Sequence, residues 1–386
     1  METTTDRKTT RVAIAIGSLM FTYWLILPVA LGAYADLYGF VESELGYIAS
    51  SYSMGIFITT LLSALWINRV GHILQIISGS LVTSIGFLAL YLLPATEVSV
   101  IAVHFLTSIG LGITYAVVMI LLADSADPTR AYALLFFTQV ILGVVGNTLL
   151  TRWLNLDNTL PVIYLFMSAI GILCAQLGRC TVRLRGSQIR SGTTLSTFAF
   201  RPSLPIALGL ASILLVFTGD AGVWVFLERI GSSILDRELG GNLVSINLLA
   251  GAMGSLTAAV VSNKMGYLVP MIIAIALSII SIAILNLASA PLLLLTGSFI
   301  NGWAWNFGAA YRMALVSELD RDRQFVALIP AMQTLGNALG PLLVGSIIVW
   351  SSFTAAYWMV ATLWILAMLC YYPAWQAHQS MVDNKK

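Results

Sequence analysis

Residues 179–201 read RCTVRLRGSQIRSGTTLSTFAFR, with five arginines (Arg179, Arg183, Arg185, Arg190 and Arg201) set among Ser, Thr, Gly and Gln and no acidic residue. This is the one long polar stretch in an otherwise apolar chain, with 178 residues before it and 185 after it. Each flank reads as six long apolar segments with short breaks. The stretch therefore reads as a hinge between two membrane halves. Basic residues are retained on the cytoplasmic side of a bilayer, so its arginines place it in the cytoplasm. Arginine clusters also serve nucleic-acid binding, but here the flanks are hydrophobic spans, and no nucleic-acid partner is expected.

Composition supports this reading. Of 386 residues, 59% are hydrophobic and 9% charged, with a mean hydropathy of +0.91. Soluble domains carry about 25% charged residues. A water-soluble core cannot absorb this much apolar surface, so the chain reads as a polytopic membrane protein. A net charge of +2 says nothing about partners. Cys174, Cys180 and Cys370 sit in or at the inner ends of apolar segments, with neither a disulfide pattern nor metal spacing. They read as small apolar packing residues. Arg7, Lys8 and Arg11 precede an apolar run that ends near Ala33-Tyr34-Ala35, which mimics a signal-peptidase site. The run is longer than the roughly 7–15 residues of a secretory core, so it reads as a retained first span.

A span needs about 20 apolar residues. Twelve are expected, at 12–35, 44–67, 73–94, 98–122, 131–152, 161–178, 203–228, 239–262, 267–288, 291–315, 325–349 and 353–373. They divide the chain into an N-terminal half (1–178), an Arg-rich linker (179–202) and a C-terminal half (203–386). With both termini inside, 16 of the 19 Lys and Arg residues fall on the cytoplasmic side, and only Arg152, Arg229 and Arg237 fall outside. The reverse orientation would invert that bias. The expected location is the inner (plasma) membrane, with the lipid bilayer as the surrounding partner.

The halves repeat each other. Asn68-Arg69-Val70-Gly71-His72 follows span 2, and Asn263-Lys264-Met265-Gly266-Tyr267 follows span 8, 195 positions later. Glu44-Leu45-Gly46 and Glu238-Leu239-Gly240 open the same spans at an offset of 194. Asp127, Arg130 and Gly143 match Asp320, Arg323 and Gly336 at 193, and Phe21-Thr22 matches Phe217-Thr218 at 196. Matches in one order with slowly drifting offsets indicate a duplicated six-span unit. Transporters are often built this way, with the substrate at the repeat interface.

Twelve spans, a basic central loop and paired loop motifs resemble the major facilitator superfamily, and the resemblance covers nearly the whole chain. The family's signature after span 2 has the form G-x-L-A-D-R-x-G-R-R, and the corresponding run here is Ala64 to His72. Arg69 and Gly71 keep the pattern, whereas Ala64, Asn68 and His72 depart from it. The second copy departs at the same acidic position, with Asn263. In the family that Asp caps a helix and pairs with a basic residue across the inner gate. Asn can cap but carries no charge, so the resemblance implies a weaker gate around Asn68, Arg69, Gly71, Asn263 and Lys264. The span-4 motif R-x-x-x-G-x-G is degenerate, as His104, Ser108 and Gly110. The exporter motif G-x-x-x-G-P is absent from span 5, which has Gly143 and Gly146 without the Pro, and stands in span 11 as Gly336, Gly340 and Pro341. Helix packing accounts for it there.

Asp220 is the one acidic residue deep within a span. A charge at mid-span costs roughly 2.5–3.5 kcal/mol on insertion scales. Such residues usually face a water-filled cavity and mark ion or substrate paths. The alternative is a structural Asp, hydrogen-bonded to a neighbouring helix or near Thr218. His104 is the only histidine within a span. It is either a second proton-coupling candidate or a neutral helix–helix hydrogen bonder. In the resembling family, spans 1, 4, 7 and 10 line the central cavity. Span 10 holds Asn301, Gly302, Trp303, Ala304, Trp305, Asn306, Phe307 and Gly308, then Tyr311 and Arg312. Helical spacing puts Asn301, Trp305, Gly308 and Arg312 on one face and Trp303 with Asn306 on another. With Tyr23, Trp24, Tyr115 and Trp224, the residues Asn301, Trp305, Asn306 and Tyr311 are the candidate substrate contacts, because flat aromatic faces and amides suit an amphipathic solute. Glu228 reads as part of an interfacial cluster with Arg229, Asp236 and Arg237, or as an outer gate. Arg312 reads as an inner-end residue reaching the cytoplasmic interface or Glu318, too deep to oppose Asp220.

No catalytic constellation, metal spacing, phosphate loop or cofactor motif is present, so the sequence does not read as an enzyme. Without an ATP-binding domain, uphill transport must draw on an ion gradient, worth roughly 2.3 kcal/mol per charge at 100 mV. The sequence thus reads as a monomeric secondary active transporter of a small organic solute, coupled to H+ and working by alternating access between two six-helix halves. A proton antiporter exporting drugs or metabolites is the nearest alternative. A transporter-like ligand sensor is the alternative from another class.

Overall fold

The computed structural model describes residues 4–63, 66–67, 69–123, 125, 128–152, 155–181, 202–287, 289–320, 325 and 328–383. The arginines at 183, 185, 190 and 201 lie outside the described residues. Twelve long helices follow one another in the order α1 (Thr4–Tyr38), α2 (Glu42–Leu62), α3 (His72–Leu92), α4 (Glu97–Ala123), α5 (Pro128–Arg152), α6 (Leu156–Gly178), α7 (Leu204–Ser232), α8 (Arg237–Val261), α9 (Leu268–Leu287), α10 (Pro291–Leu319), α11 (Ile329–Trp350) and α12 (Phe353–Asp383). The fold is all-α and polytopic, as the apolar periodicity requires. Among the described residues, eleven helices are long and apolar enough to cross a membrane. The exception is α10, whose Asn301–Arg312 run dilutes its apolar content. Large apolar side chains such as Phe137, Leu256 and Trp358 stand exposed along the helices. That arrangement is unfavourable in water and natural in hydrocarbon.

Helix ends follow local chemistry. Glu44 reaches back to accept the Val41 N–H at 2.8 Å and closes the start of α2. Asp236 does the same for α8, accepting the Leu239 N–H at 2.8 Å. Helices α7, α10 and α11 carry Pro in the first turn, where its missing N–H costs nothing. The last helix runs ten residues past the expected end at 373, and the extension is used: Tyr371 donates to the Tyr267 carbonyl at 3.0 Å, and His378 meets the Tyr267 ring edge-on at 5.2 Å. Gly266, beside it, takes a left-handed φ of 64°, which suits glycine.

The chain divides into two compact units, Met1–Arg190 and Ser191–Lys386. Within the first, α1 packs on α4, α5 and α6, α2 packs on α4, and α3 packs on α4 and α6. Within the second, α7 packs on α10, α11 and α12, α8 packs on α10, and α9 packs on α10 and α12. Adding six to each helix number of the first set gives these pairs of the second, which in addition packs α7 on α8 and α12 on α10 and α11. The repeat seen in the sequence is thus a repeat of packing. The small residues of α11 act as helix packing requires: a Cβ on Gly336 would stand 2.7 Å from the Phe217 Cβ, and one on Gly340 would stand 2.7 Å from the Gly222 nitrogen.

Candidate functional site

In the C-terminal unit, Asp220 lies in the interior of α7 with no solvent exposure. Among the described residues, neither carboxyl oxygen has a hydrogen-bond partner. Thr218 turns away and donates to the Leu214 carbonyl at 2.8 Å, so the expected local partner is not used. The Trp364 indole of α12 interacts with the carboxyl but closes no hydrogen bond in this geometry. The residue that balances Asp220 is Arg312 of α10, which stands within electrostatic reach and is itself buried.

That finding corrects the sequence reading of Arg312. The side chain does not run toward the end of α10 or to the exposed Glu318. Helical side chains lean toward the N-terminus of their helix. Arg312 takes this lean to its limit: Nη2 donates to the Trp305 carbonyl at 3.3 Å, seven residues back. The guanidinium thus lies about one turn of helix, roughly 5 Å, back from its own Cα. Nη1 rests 3.8 Å from the Met271 sulfur of α9. Tyr371 of α12 adds a third polar group within electrostatic reach of Arg312. Carboxylate, guanidinium and indole N–H are thus gathered from three helices in an apolar bundle. Such groups are tolerated there only when their charges compensate.

In the N-terminal unit, His104 of α4 is fully satisfied. Its Nδ1 lies 2.8 Å from the Val100 carbonyl and its Nε2 lies 2.6 Å from the Tyr23 hydroxyl. A carbonyl only accepts, so Nδ1 carries the hydrogen, and Nε2 is left to accept from Tyr23. Tyr34 and Tyr52 approach the same ring with centroids 6.0 Å and 6.2 Å away. Tyr164 donates to the Tyr34 hydroxyl. These bonds join α4 to α1 through the His104 ring.

The candidate substrate contacts divide. Tyr23, Trp24, Trp224, Asn301 and Tyr311 are buried. Asn301 belongs to a chain of amides and hydroxyls that joins three helices: Asn247 Nδ2 donates to its Oδ1 at 3.2 Å, and its own Nδ2 reaches Ser281 Oγ at 3.4 Å. These contacts tie α10 to α8 and α9. Asn306 faces Gly251 of α8, and Trp303 donates to Thr257 of α8 at 3.3 Å. Trp305 instead meets Phe217 of α7 edge-on at 5.9 Å. Trp305, Asn306 and Tyr115 remain partly exposed, and Gln139 donates to the Tyr115 hydroxyl at 3.2 Å.

The gate candidates change too. Asn68 lies outside the described residues, and Asn263 sits in the short turn Ser262–Met265. Arg69, Gly71 and Lys264 are exposed. Gln75, which the sequence reading missed, holds the first loop by donating to the Ile67 and Val70 carbonyls at 3.1 and 2.6 Å. Glu228 lies inside α7, which continues to Ser232, and is buried against Gly240 at the start of α8.

Two copies of a six-helix unit, with a charge pair buried inside the second, make up a polytopic membrane fold. Residues 195–380 match the model of the Major Facilitator Superfamily. The match lies in the second of the two units, and the fold of the whole chain is the one its solved neighbours share. Three solved structures share the fold. A mutant form of the nucleoside transporter NupG superposes with a TM-score of 0.80 at 13% identity, over 95% of this chain and 99% of that one. The D-xylose-proton symporter gives 0.73 at 17%, over 96% and 98%. A bacterial homolog of the human lysosomal transporter Spinster gives 0.71 at 13%, over 99% of both chains. No curated relative matches the sequence.

Proposed function

We propose that this protein is a proton-coupled transporter of a small organic solute, and that Asp220 carries the coupling proton. The observation behind the proposal is a carboxyl group with no exposure and, among the described residues, no hydrogen-bond donor, opposed by a buried arginine. A group held in place by hydrogen bonds resists changing its charge. Asp220 has none to break, and Arg312 balances it only while it is charged. Proton uptake at Asp220 therefore changes the net charge of the bundle, which is what ion coupling to a conformational change requires. The name of one structural neighbour, a proton symporter, agrees with this reading.

In this proposal both termini and the 179–202 linker are cytoplasmic, the protein works as a monomer in the inner membrane, and the two halves alternate access. Within the C-terminal unit the substrate wall is drawn from Trp305, which keeps exposed surface on the side of α10 that meets α7. The neighbours named for nucleosides and D-xylose suggest the first compounds for a thermal-shift screen on purified protein. Transport of any stabilising compound is then measured in proteoliposomes with and without an imposed pH gradient. Accumulation that ignores the gradient would remove proton coupling from the proposal.

A further inference from the structure

We propose that Gly308 is a positioning residue for the buried charge pair: its missing side chain leaves the groove along which Arg312 folds back to oppose Asp220. The inference deepens the coupling role proposed above, but its first test does not depend on transport.

Gly308 lies one turn before Arg312 on the same face of α10. A Cβ placed there would stand 2.9 Å from Arg312 Nη1, inside the space the guanidinium occupies. The same Cβ would stand 2.7 Å from the Cβ of Ala274 on α9. The glycine thus has two neighbours, and only one of them is charged. Arg312 reaches Trp305 by passing over Gly308. A side chain at 308 would push the guanidinium, the far end of a flexible side chain, off its path along α10. Its charged partner Asp220 on α7 would then face a displaced cation. Of the helices packed around it, α9 offers Met271, which is neutral, and α12 offers Tyr371 and Trp364, neither of which can replace the cation. A buried carboxylate left without compensation is far costlier than a lost neutral contact.

The packing contact and the charge effect separate by substitution. Ala274→Gly removes the methyl that a new side chain at 308 would strike, leaving Arg312 as the obstacle. Gly308→Ala is then introduced into the Ala274→Gly protein with Asp220 present and, separately, with Asp220→Asn. Thermal unfolding of the purified proteins is followed at alkaline pH. The inference expects Gly308→Ala to lower the unfolding midpoint by several degrees with Asp220 present and by much less with Asp220→Asn. Recovery of folded Gly308→Ala protein only in the Asp220→Asn background supports it equally. An equal drop in both backgrounds, no drop in either, or failure to fold in both, would show that Gly308 serves helix packing alone. A second arm measures counterflow and gradient-driven accumulation. If Asp220→Asn still accumulates substrate fully, the coupling proposal fails while the stability result still judges Gly308.

Discussion

The Tyr23 hydroxyl of α1 and Nε2 of His104 on α4 lie 2.6 Å apart, and the other ring nitrogen of His104 is bonded to the Val100 carbonyl. Both hydrogen-bonding positions of the imidazole are filled. Its place in the N-terminal unit is that of a bolt between two helices. Asp220 is the opposite case, a buried acid with no bonded partner. The contrast sets Asp220 apart from His104, the second coupling candidate.

Tyr23→Phe tests the bolt. Removing the hydroxyl leaves His104 Nε2 without a donor in an apolar interior, at a cost of about 1–3 kcal/mol. The unfolding midpoint should fall, while accumulation driven by a pH gradient persists in the protein that remains folded. Loss of gradient dependence in folded Tyr23→Phe would return His104 to the coupling mechanism.

Asn301 and Trp305 should part company. Asn301 joins α8, α9 and α10, and helix–helix hydrogen bonds of this kind are worth about 0.6 kcal/mol each in a membrane. Asn301→Ala should therefore lower stability and leave substrate affinity unchanged. Trp305→Ala should leave stability nearly intact and weaken binding about tenfold, roughly 1.4 kcal/mol. Isothermal titration with the first compound that stabilises the protein measures both. The reverse pattern would put the substrate wall on the face of α10 that meets α8 and α9.

The arginine bias makes a claim about sidedness. Cys180 is exposed beside the linker, whereas Cys174 is buried and Cys370 half-buried. With Cys174→Ser and Cys370→Ser, Cys180 is the single thiol. An impermeant maleimide should leave it unmodified in intact cells and label it in inside-out vesicles. Labelling in intact cells would invert the orientation.

The sequence made the twelve helices and their duplication legible because both rest on simple quantities, apolar length and the spacing of loop motifs. Asp220 stood out because a lone carboxylate in a span has few explanations. What escaped was direction. Arg312 sits near the end of its span by number, but its side chain carries the charge back about one turn, roughly 5 Å, and only Gly308 one turn earlier hints at it. Asn301 looked like a ligand group because an amide reads the same whether it faces solute or another amide. Its partners Asn247 and Ser281 come from other helices. Trp364 was missed because it lies on α12, outside the spans that the family resemblance marks as cavity-lining.

The most direct measurement compares Asp220→Asn with the unsubstituted protein in proteoliposomes under an imposed pH gradient. The substitution keeps shape and removes only the ability to lose and regain a proton. The account predicts that accumulation against the substrate gradient disappears while counterflow exchange of labelled for unlabelled substrate continues. Full gradient-driven accumulation by Asp220→Asn would contradict it and take Asp220 out of the coupling mechanism.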